Sequence, residues 1–356
     1  MSSNRIVVIA GDGIGPEITA AARGILDQAA RKAGLTIDFT DCLAGGAAID
    51  RYGEPLPPDT LAAAQAADAV LLGAVGGPKW DGVAPRLRPE KALLGLRKAL
   101  GLYANLRPVK VADALADYSP LKPEIVAGTD ILIVRELTGG MYFGPRCESE
   151  AADGVERAWD TEIYSAPEVE RIVRAACRTA KGRRGRVTSV DKANVLASSR
   201  LWRRVATAVA GEEGVELSHL YVDNCAMQFV LSPKSFDVVV TSNLFGDILS
   251  DEAAVVAGSI GLLPSASIGD GPGLYEPIHG SAPDIAGQGI ANPIGTILSA
   301  AMLLRHSLRA EAPAAAIERA VDAVLAAGYR TADLYRPGLT KVSTDEMTSL
   351  ISKQLQ

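Results

Sequence analysis

With 356 residues, the chain has room for two domains of ordinary size or one large one, with a substantial core. Hydrophobic residues at 48% and charged residues at 22% exclude a disordered chain and a fibrous repeat. The net charge of −6 excludes the basic face of a nucleic-acid binder, and no apolar run reaches the length of a membrane span. The chain passes almost directly into a strand without a signal-peptide pattern, so a cytoplasmic protein is expected, with neither nucleic acid nor membrane as partner. Cys42, Cys147, Cys177 and Cys225 have no Cys-x-x-Cys spacing. Reduced, buried thiols fit them better than a zinc site or a redox pair.

In chain order, residues 6–10 form a short run rich in β-branched residues that ends in Gly-Asp-Gly-Ile-Gly-Pro-Glu at 11–17. This predicts strand, glycine turn and helix start, with Pro16 in the first turn and Gly34 stopping a helix that runs through Ala33. A dinucleotide fingerprint would need Gly-x-Gly-x-x-Gly, but here the third glycine comes one residue early. The loop is thus either a phosphate or cofactor contact or a plain tight turn. Further strands are predicted at 37–42, 69–72, 131–134, 187–190, 217–222 and 238–240, with helical segments between many of them, which reads as an α/β protein with much parallel sheet. Residues 144–163 break the rhythm and suggest an arm or hairpin, and the basic run 181–186 reads as a solvated turn. Residues 264–293, dense in Gly, Pro and Asp, predict a long functional loop, followed by helices at 294–309 and 314–327.

Residues 243–254 read Asn-Leu-Phe-Gly-Asp-Ile-Leu-Ser-Asp-Glu-Ala-Ala. On a helix Asp247 and Asp251, four apart, share one face and repel unless something cationic sits between them. A divalent ion with oxygen ligands suits that place, and a solvated acidic face is the plainer alternative. Phe245, Ile248, Leu249 and the small residues of 253–258 predict a largely buried helix. Arg97, Arg107 and Arg135 each adjoin an apolar segment, and guanidinium groups there either hold a di- or tricarboxylate or pair with local acids such as Glu136. Tyr142 and Lys192 follow strands and are either a proton donor and a base or plain packing and surface. Asp223, read at a strand end, offers a third carboxylate, while His219, His279 and His306 are too dispersed for a histidine metal site.

Several motifs, in order, are Gly-Gly-Pro-Lys-Trp at 76–80, Leu-Arg-Lys at 96–98, Ala-Asn-Leu-Arg-Pro at 104–108 and Val-Arg-Glu-Leu-Thr-Gly-Gly at 134–140. Asp-Lys-Ala-Asn-Val-Leu at 191–196 and Tyr-Glu-Pro-Ile-His-Gly-Ser-Ala-Pro-Asp-Ile-Ala-Gly at 275–287 complete them. Together with the glycine loop and the acidic helix, they resemble the β-decarboxylating dehydrogenases, the isocitrate/isopropylmalate dehydrogenase family, over nearly the whole chain.

The resemblance implies an α/β, two-domain fold with mixed sheets flanked by helices, not a true Rossmann fold. It implies a cofactor-binding domain from 1–102 plus 258–356, a central substrate and dimerisation domain from 103–257 with an arm near 144–163, and a homodimer with shared active sites. Carried over residue by residue, Arg97, Arg107 and Arg135 bind substrate carboxylates. Asp247, Asp251 and a partner's Asp223 surround Mg2+ or Mn2+, with Asp223 also near the substrate. Lys192, again from the partner, takes the hydroxyl proton, and Tyr142 protonates the enolate left after CO2 departs. Glu90 lies near the nicotinamide, and Leu93 and Leu94 meet an isopropyl group. The implied reaction is NAD-dependent oxidative decarboxylation of 3-isopropylmalate to 2-oxo-4-methylpentanoate, with homoisocitrate, tartrate or malate as alternative substrates. Ile14, Glu90, Glu276, His279, Gly280, Ser281, Ala282, Asp284, Ile285 and Asn292 are the implied cofactor residues, Asp284 favouring NAD over NADP by repelling a 2′-phosphate. A silent subunit partner would lack the lysine, tyrosine or acids, and a metal-dependent hydrolase would not need three arginines. Gly144-Pro145-Arg146-Cys147 departs from the family pattern and affects the arm rather than Tyr142.

Overall fold

The computed structural model describes residues 3–152, 154–258 and 260–355. In chain order the strands are β1 (Asn4–Gly11), β2 (Ile37–Cys42), β3 (Ala69–Ala74), β4 (Leu102–Lys110), β5 (Asp130–Glu136), β6 (Arg146–Ala152), β7 (Val155–Asp160), β8 (Arg186–Asp191), β9 (Glu216–Tyr221), β10 (Val238–Thr241), β11 (Pro264–Gly269) and β12 (Gly273–Pro277). The chain divides into two compact units, one of Met1–Leu102, Ala112–Tyr118 and Gly258–Gln356, the other of Tyr103–Val111 and Ser119–Ala257. The short segment Ala112–Tyr118 thus groups with the first unit rather than with the central stretch that surrounds it in sequence.

In the first unit the strands run in the order β2-β1-β3-β12-β11, parallel except for the antiparallel pair β11–β12. Ile6, Val7, Val8 and Ile9 are all buried, as the unbroken apolar run of a strand covered on both faces requires. Helix Ile294–His306 is buried on nearly every side and packs on helix Gly15–Lys32 and on β11 and β12. The predicted long loop at 264–293 is therefore half wrong, because its first part is the hairpin β11–β12. Apolar periodicity missed these strands because serine fills buried positions, Ser265 and Ser267 among them.

In the second unit the order is β4-β5-β10-β8-β9, with β4 antiparallel to β5 and the remaining pairs parallel. β4 escaped the sequence reading because Asn105, Arg107 and Pro108 interrupt its apolar pattern. The expected excursion after Tyr142 is an antiparallel hairpin, β6–β7, with a register shift between Cys147 and Glu150. Residues 181–186 are a largely exposed turn before β8, as expected, but Arg183 within it is anchored. Arg183 bonds Asp237 at 2.9 Å and Asp130 at 2.8 Å, and the Asp237 side chain is fully buried, so the run fastens the turn before β8. The predicted strand at 217–222 ends one residue early: Val222 starts helix Val222–Leu231 and carries Asp223 into its first turn. All four cysteines are free, with Cys177 and Cys225 buried and Cys42 and Cys147 only half-buried.

Candidate active site

A polar constellation of the second unit forms where β4, β5 and β10 adjoin helix Asn243–Val256. Arg135 stands on β5 directly opposite Asn105 of β4 and beside Thr241 of β10, two residues before the helix begins. Gly246 lets the Arg135 stem cross the helix, because a Cβ there would lie 2.6 Å from Arg135 Cγ. Arg135 Nε and Nη2 donate to Asn243 Oδ1 at 3.0 and 2.9 Å, and its Nη1 donates to Asp247. Arg107, two residues along β4 from Asn105, donates from Nε to Asn105 Oδ1 at 2.7 Å and from Nη1 to Ser250 Oγ at 2.5 Å. Its guanidinium also reaches Asp251 at 3.3 Å and Asp247 at 3.8 Å. Tyr142, just past β5, donates to Asp247 Oδ2 at 2.7 Å.

Asp247 and Asp251 do share a helix face, and what lies between them in this chain is a pair of guanidinium groups. The arginine side chains are nearly buried, at 10% and 5% exposed, whereas Asp251 is 64% exposed. The local acid of Arg135 is Asp247, not its neighbour Glu136, which points to the other side of β5 and accepts from Thr138 N and Gly139 N. Burial first, then the bond to Asp247, raises the Tyr142 pKa, so the phenol keeps its proton throughout the neutral range. The helix is less buried than predicted: Leu249 and Ala253 face inward, but Ile248 and Val255 are exposed.

Lys192 and Asp223 form a separate pair. β8 and β9 run parallel with Asp191 opposite Tyr221, so the residues that follow them come side by side, Lys192 Nζ to Asp223 Oδ1 at 2.7 Å. That bond holds the Asp223 carboxyl below its ordinary range. Among the described residues, no group of three or more His, Cys, Asp or Glu side chains could hold a metal ion within one chain. Asp223 thus does not join Asp247 and Asp251.

In the first unit Arg97, in the last turn of helix Glu90–Ala99, pairs with Glu276 of β12 at 2.9 Å. Both side chains are largely buried, so Glu276 holds a cation here. Ile14 packs with Ala282 and Ile285 beside Ile18 and Ala291, and its N–H donates to Ser281 O at 2.8 Å. Asn292 accepts from Ile294 N and donates to Asp333, so it caps the helix that follows. Burial lowers the His279 pKa, and its Nδ1 contacts Gly280 O at 2.9 Å. Glu90, Leu94 and Asp284 are exposed and Leu93 is half-buried.

A profile of the isocitrate/isopropylmalate dehydrogenase family matches residues 5–351. The chain belongs to the isocitrate/isopropylmalate dehydrogenase family. It is 60% identical to the 3-isopropylmalate dehydrogenase of Anaeromyxobacter dehalogenans over 96% of this chain and 98% of that one. Against the 3-isopropylmalate dehydrogenase of Moorella thermoacetica it is 58% identical over 99% of each. Among solved structures, isocitrate dehydrogenase from Methylococcus capsulatus superposes with a TM-score of 0.87 at 36% identity, covering 99% of both chains. A β-decarboxylating dehydrogenase from Thermococcus kodakarensis gives 0.83 at 39% identity, over 99% of this chain and 96% of that one.

This family member uses residues that sequence reasoning passed over. Asn243, Asp247, Ser250 and Asp251 fall at i, i+4, i+7 and i+8, one face of a helix, so Asn243 and Ser250 were legible beside the two acids. Asn105 likewise shares a strand face with Arg107. Tyr164 carried no such signal, yet its hydroxyl accepts from Asn243 N at 2.9 Å and lies 3.3 Å from Glu136 Oε2.

Proposed function

We propose that this chain oxidises 3-isopropylmalate at its hydroxyl carbon and releases CO2 to give 2-oxo-4-methylpentanoate, the step leucine biosynthesis requires, with NAD and Mg2+ or Mn2+. Relatives 55–60% identical over nearly the full chain carry the name 3-isopropylmalate dehydrogenase. The observation that carries the reading is the convergence of Arg107, Arg135 and Tyr142 on the Asp247–Asp251 face.

The donor set fits a hard divalent ion. Asp247 and Asp251 offer carboxylate oxygens from successive turns, and neither is enclosed. Asp223 of a second copy would supply the third. A metal held there would polarise the substrate oxygen, and NAD would accept the hydride. Arg107 and Arg135, already desolvated and oriented by Asn105 and Asn243, are arranged to hold a carboxylate through paired N–H donors. Lys192 would draw the proton from the substrate hydroxyl. Loss of CO2 leaves the bonding electrons on carbon as an enolate, and Tyr142, protonated at neutral pH, returns a proton to that carbon.

A homodimer with shared sites is part of the proposal. Met227 and Leu231 on helix Val222–Leu231, and Ile248 and Val255 on the helix packed against it, are exposed apolar side chains. They lie on the same two helices as Asp223, Asp247 and Asp251. Leu93 and Leu94 favour an isopropyl group over a further carboxylate, and the exposed Asp284 favours NAD over NADP. The test is a panel of 3-substituted malates with Mn2+ and either NAD or NADP. The reading stands if kcat/KM is greatest for 3-isopropylmalate with NAD, and it fails if another malate is preferred or if chelating the metal leaves turnover intact.

A further inference from the structure

Asp12, the acid inside the first glycine loop, has a place in the first unit that neither motif nor charge foretells. It is 4% exposed and has no cationic partner among its hydrogen bonds; three backbone N–H groups converge on it, two from the first turn of helix Gly46–Tyr52 and one from Gly76. Gly46 N and Gly76 N donate to Oδ2 at 2.8 Å each, and Ala47 N donates to Oδ1 at 2.7 Å.

The bonds go on to close a ring. Ser281 Oγ donates to Gly76 O at 2.8 Å, and Ile14 N, two residues from Asp12, donates to Ser281 O at 2.8 Å. Next in the chain, Ala282 holds a positive φ of 37°, a conformation a residue with a Cβ keeps only when its surroundings impose it. On the other side Glu90 Oε1 lies 2.8 Å from the place a Cβ on Gly76 would take. Asp12 therefore fastens together the segments that carry Ile14, Gly76, Ser281 and Ala282, with Glu90 lying beside Gly76. Burial raises its pKa, against the pull of the three backbone bonds.

We propose that Asp12 is a positioning residue for the cofactor, its carboxylate tying the start of helix Gly46–Tyr52 and the Gly76 loop to the Ile14–Ser281 segment so that the dinucleotide meets a preformed surface. This rests on the assignment of NAD to the first unit.

Asp12→Asn keeps size and shape but cannot satisfy all three donors. Whichever way the amide turns, its NH2 faces an N–H, either Ala47 or the Gly46 and Gly76 pair. The expected result is a rise of about tenfold in KM and Kd for NAD, with KM for the malate substrate within about twofold and kcat at saturating NAD falling far less than kcat/KM for NAD. An unchanged Kd for NAD, or equal weakening of both substrates, overturns the proposal. Asp284→Ala measured alongside separates the two levels: if it weakens NAD while Asp12→Asn does not, the positioning role fails and the cofactor assignment stands. If neither matters, the assignment itself falls. Should Asp12→Asn not fold, amide exchange in the wild-type protein decides, since Gly46, Ala47 and Gly76 N–H groups must be slow to exchange without NAD; fast exchange there overturns the proposal.

Discussion

Replacing Tyr164 with phenylalanine tests whether one hydroxyl holds the start of the acidic helix. The aromatic ring stays, so its edge-to-face contact with Trp202, ring centroids 5.4 Å apart, is retained. What is lost is an acceptor for Asn243 N at 2.9 Å and a donor to Glu136 at 3.3 Å. Ser242, the residue placed to cap this helix, makes no cap bond, and its buried Oγ has no partner among the described residues, so the phenol serves as the acceptor for this N–H. Glu136 is affected less, because it keeps Thr138 N, Thr138 Oγ1 and Gly139 N. An orphaned buried N–H costs about 1–3 kcal/mol. At roughly 2–4 °C per kcal/mol for a unit of this size, the melting temperature should fall by about 2–12 °C. Thermal unfolding followed by circular dichroism gives the shift, and amide exchange locates it. A fall of under ~1 °C, with the Asn243 amide as protected as in the wild type, would refute the reasoning, since the N–H would then have another acceptor.

Other expectations follow from the same geometry. Leu93→Ser should cost about 1–3 kcal/mol of preference for 3-isopropylmalate over malate, read as the ratio of kcat/KM values; an unchanged ratio removes Leu93 from the pocket. Mixed dimers of Asp247→Asn and Lys192→Met, each inactive alone, should regain activity through one intact composite site, and no recovery despite proven subunit exchange counts against shared sites. Burial, reinforced by Arg305 and Arg309 against Glu311 and Glu318, pushes the His306 pKa down to about 4. The unfolded chain takes up this proton first, from about pH 6.5, so stability present above that pH is lost as pH falls toward about 4. Urea midpoints across that window should flatten in His306→Gln, and an undiminished slope would assign the acid sensitivity elsewhere.

How much was readable depended on the range over which each residue makes its contacts. Asp247 and Asp251 were legible because helical spacing alone puts them together. Arg135 stood out at the end of an apolar strand, but its partner Asn243 is 108 residues away in sequence, and no local pattern links the two. Tyr164 and Asn243, 79 residues apart, are equally silent. β4, β11 and β12 were lost for a different reason: each is buried while carrying Asn, Arg, Pro or Ser, so the contrast that reveals a strand is missing. Asp12 was silent as well, since nothing local to an acid between two glycines shows that it is a buried acceptor for N–H groups far along the chain.

The first unit is assembled from both ends of the chain, and this has a consequence for how the protein comes off the ribosome. β3 pairs with β12 through contacts such as Ala69 with Gly273, so one edge of β3 stays open until the whole second unit has been made. At about 5–20 residues per second that delay is on the order of ten to forty seconds. The second unit, except for Tyr103–Val111, is one continuous stretch that ends at Ala257, before Gly273 is made. The second unit can therefore be complete before the first, and the waiting edge of β3 is where a chaperone would be most needed.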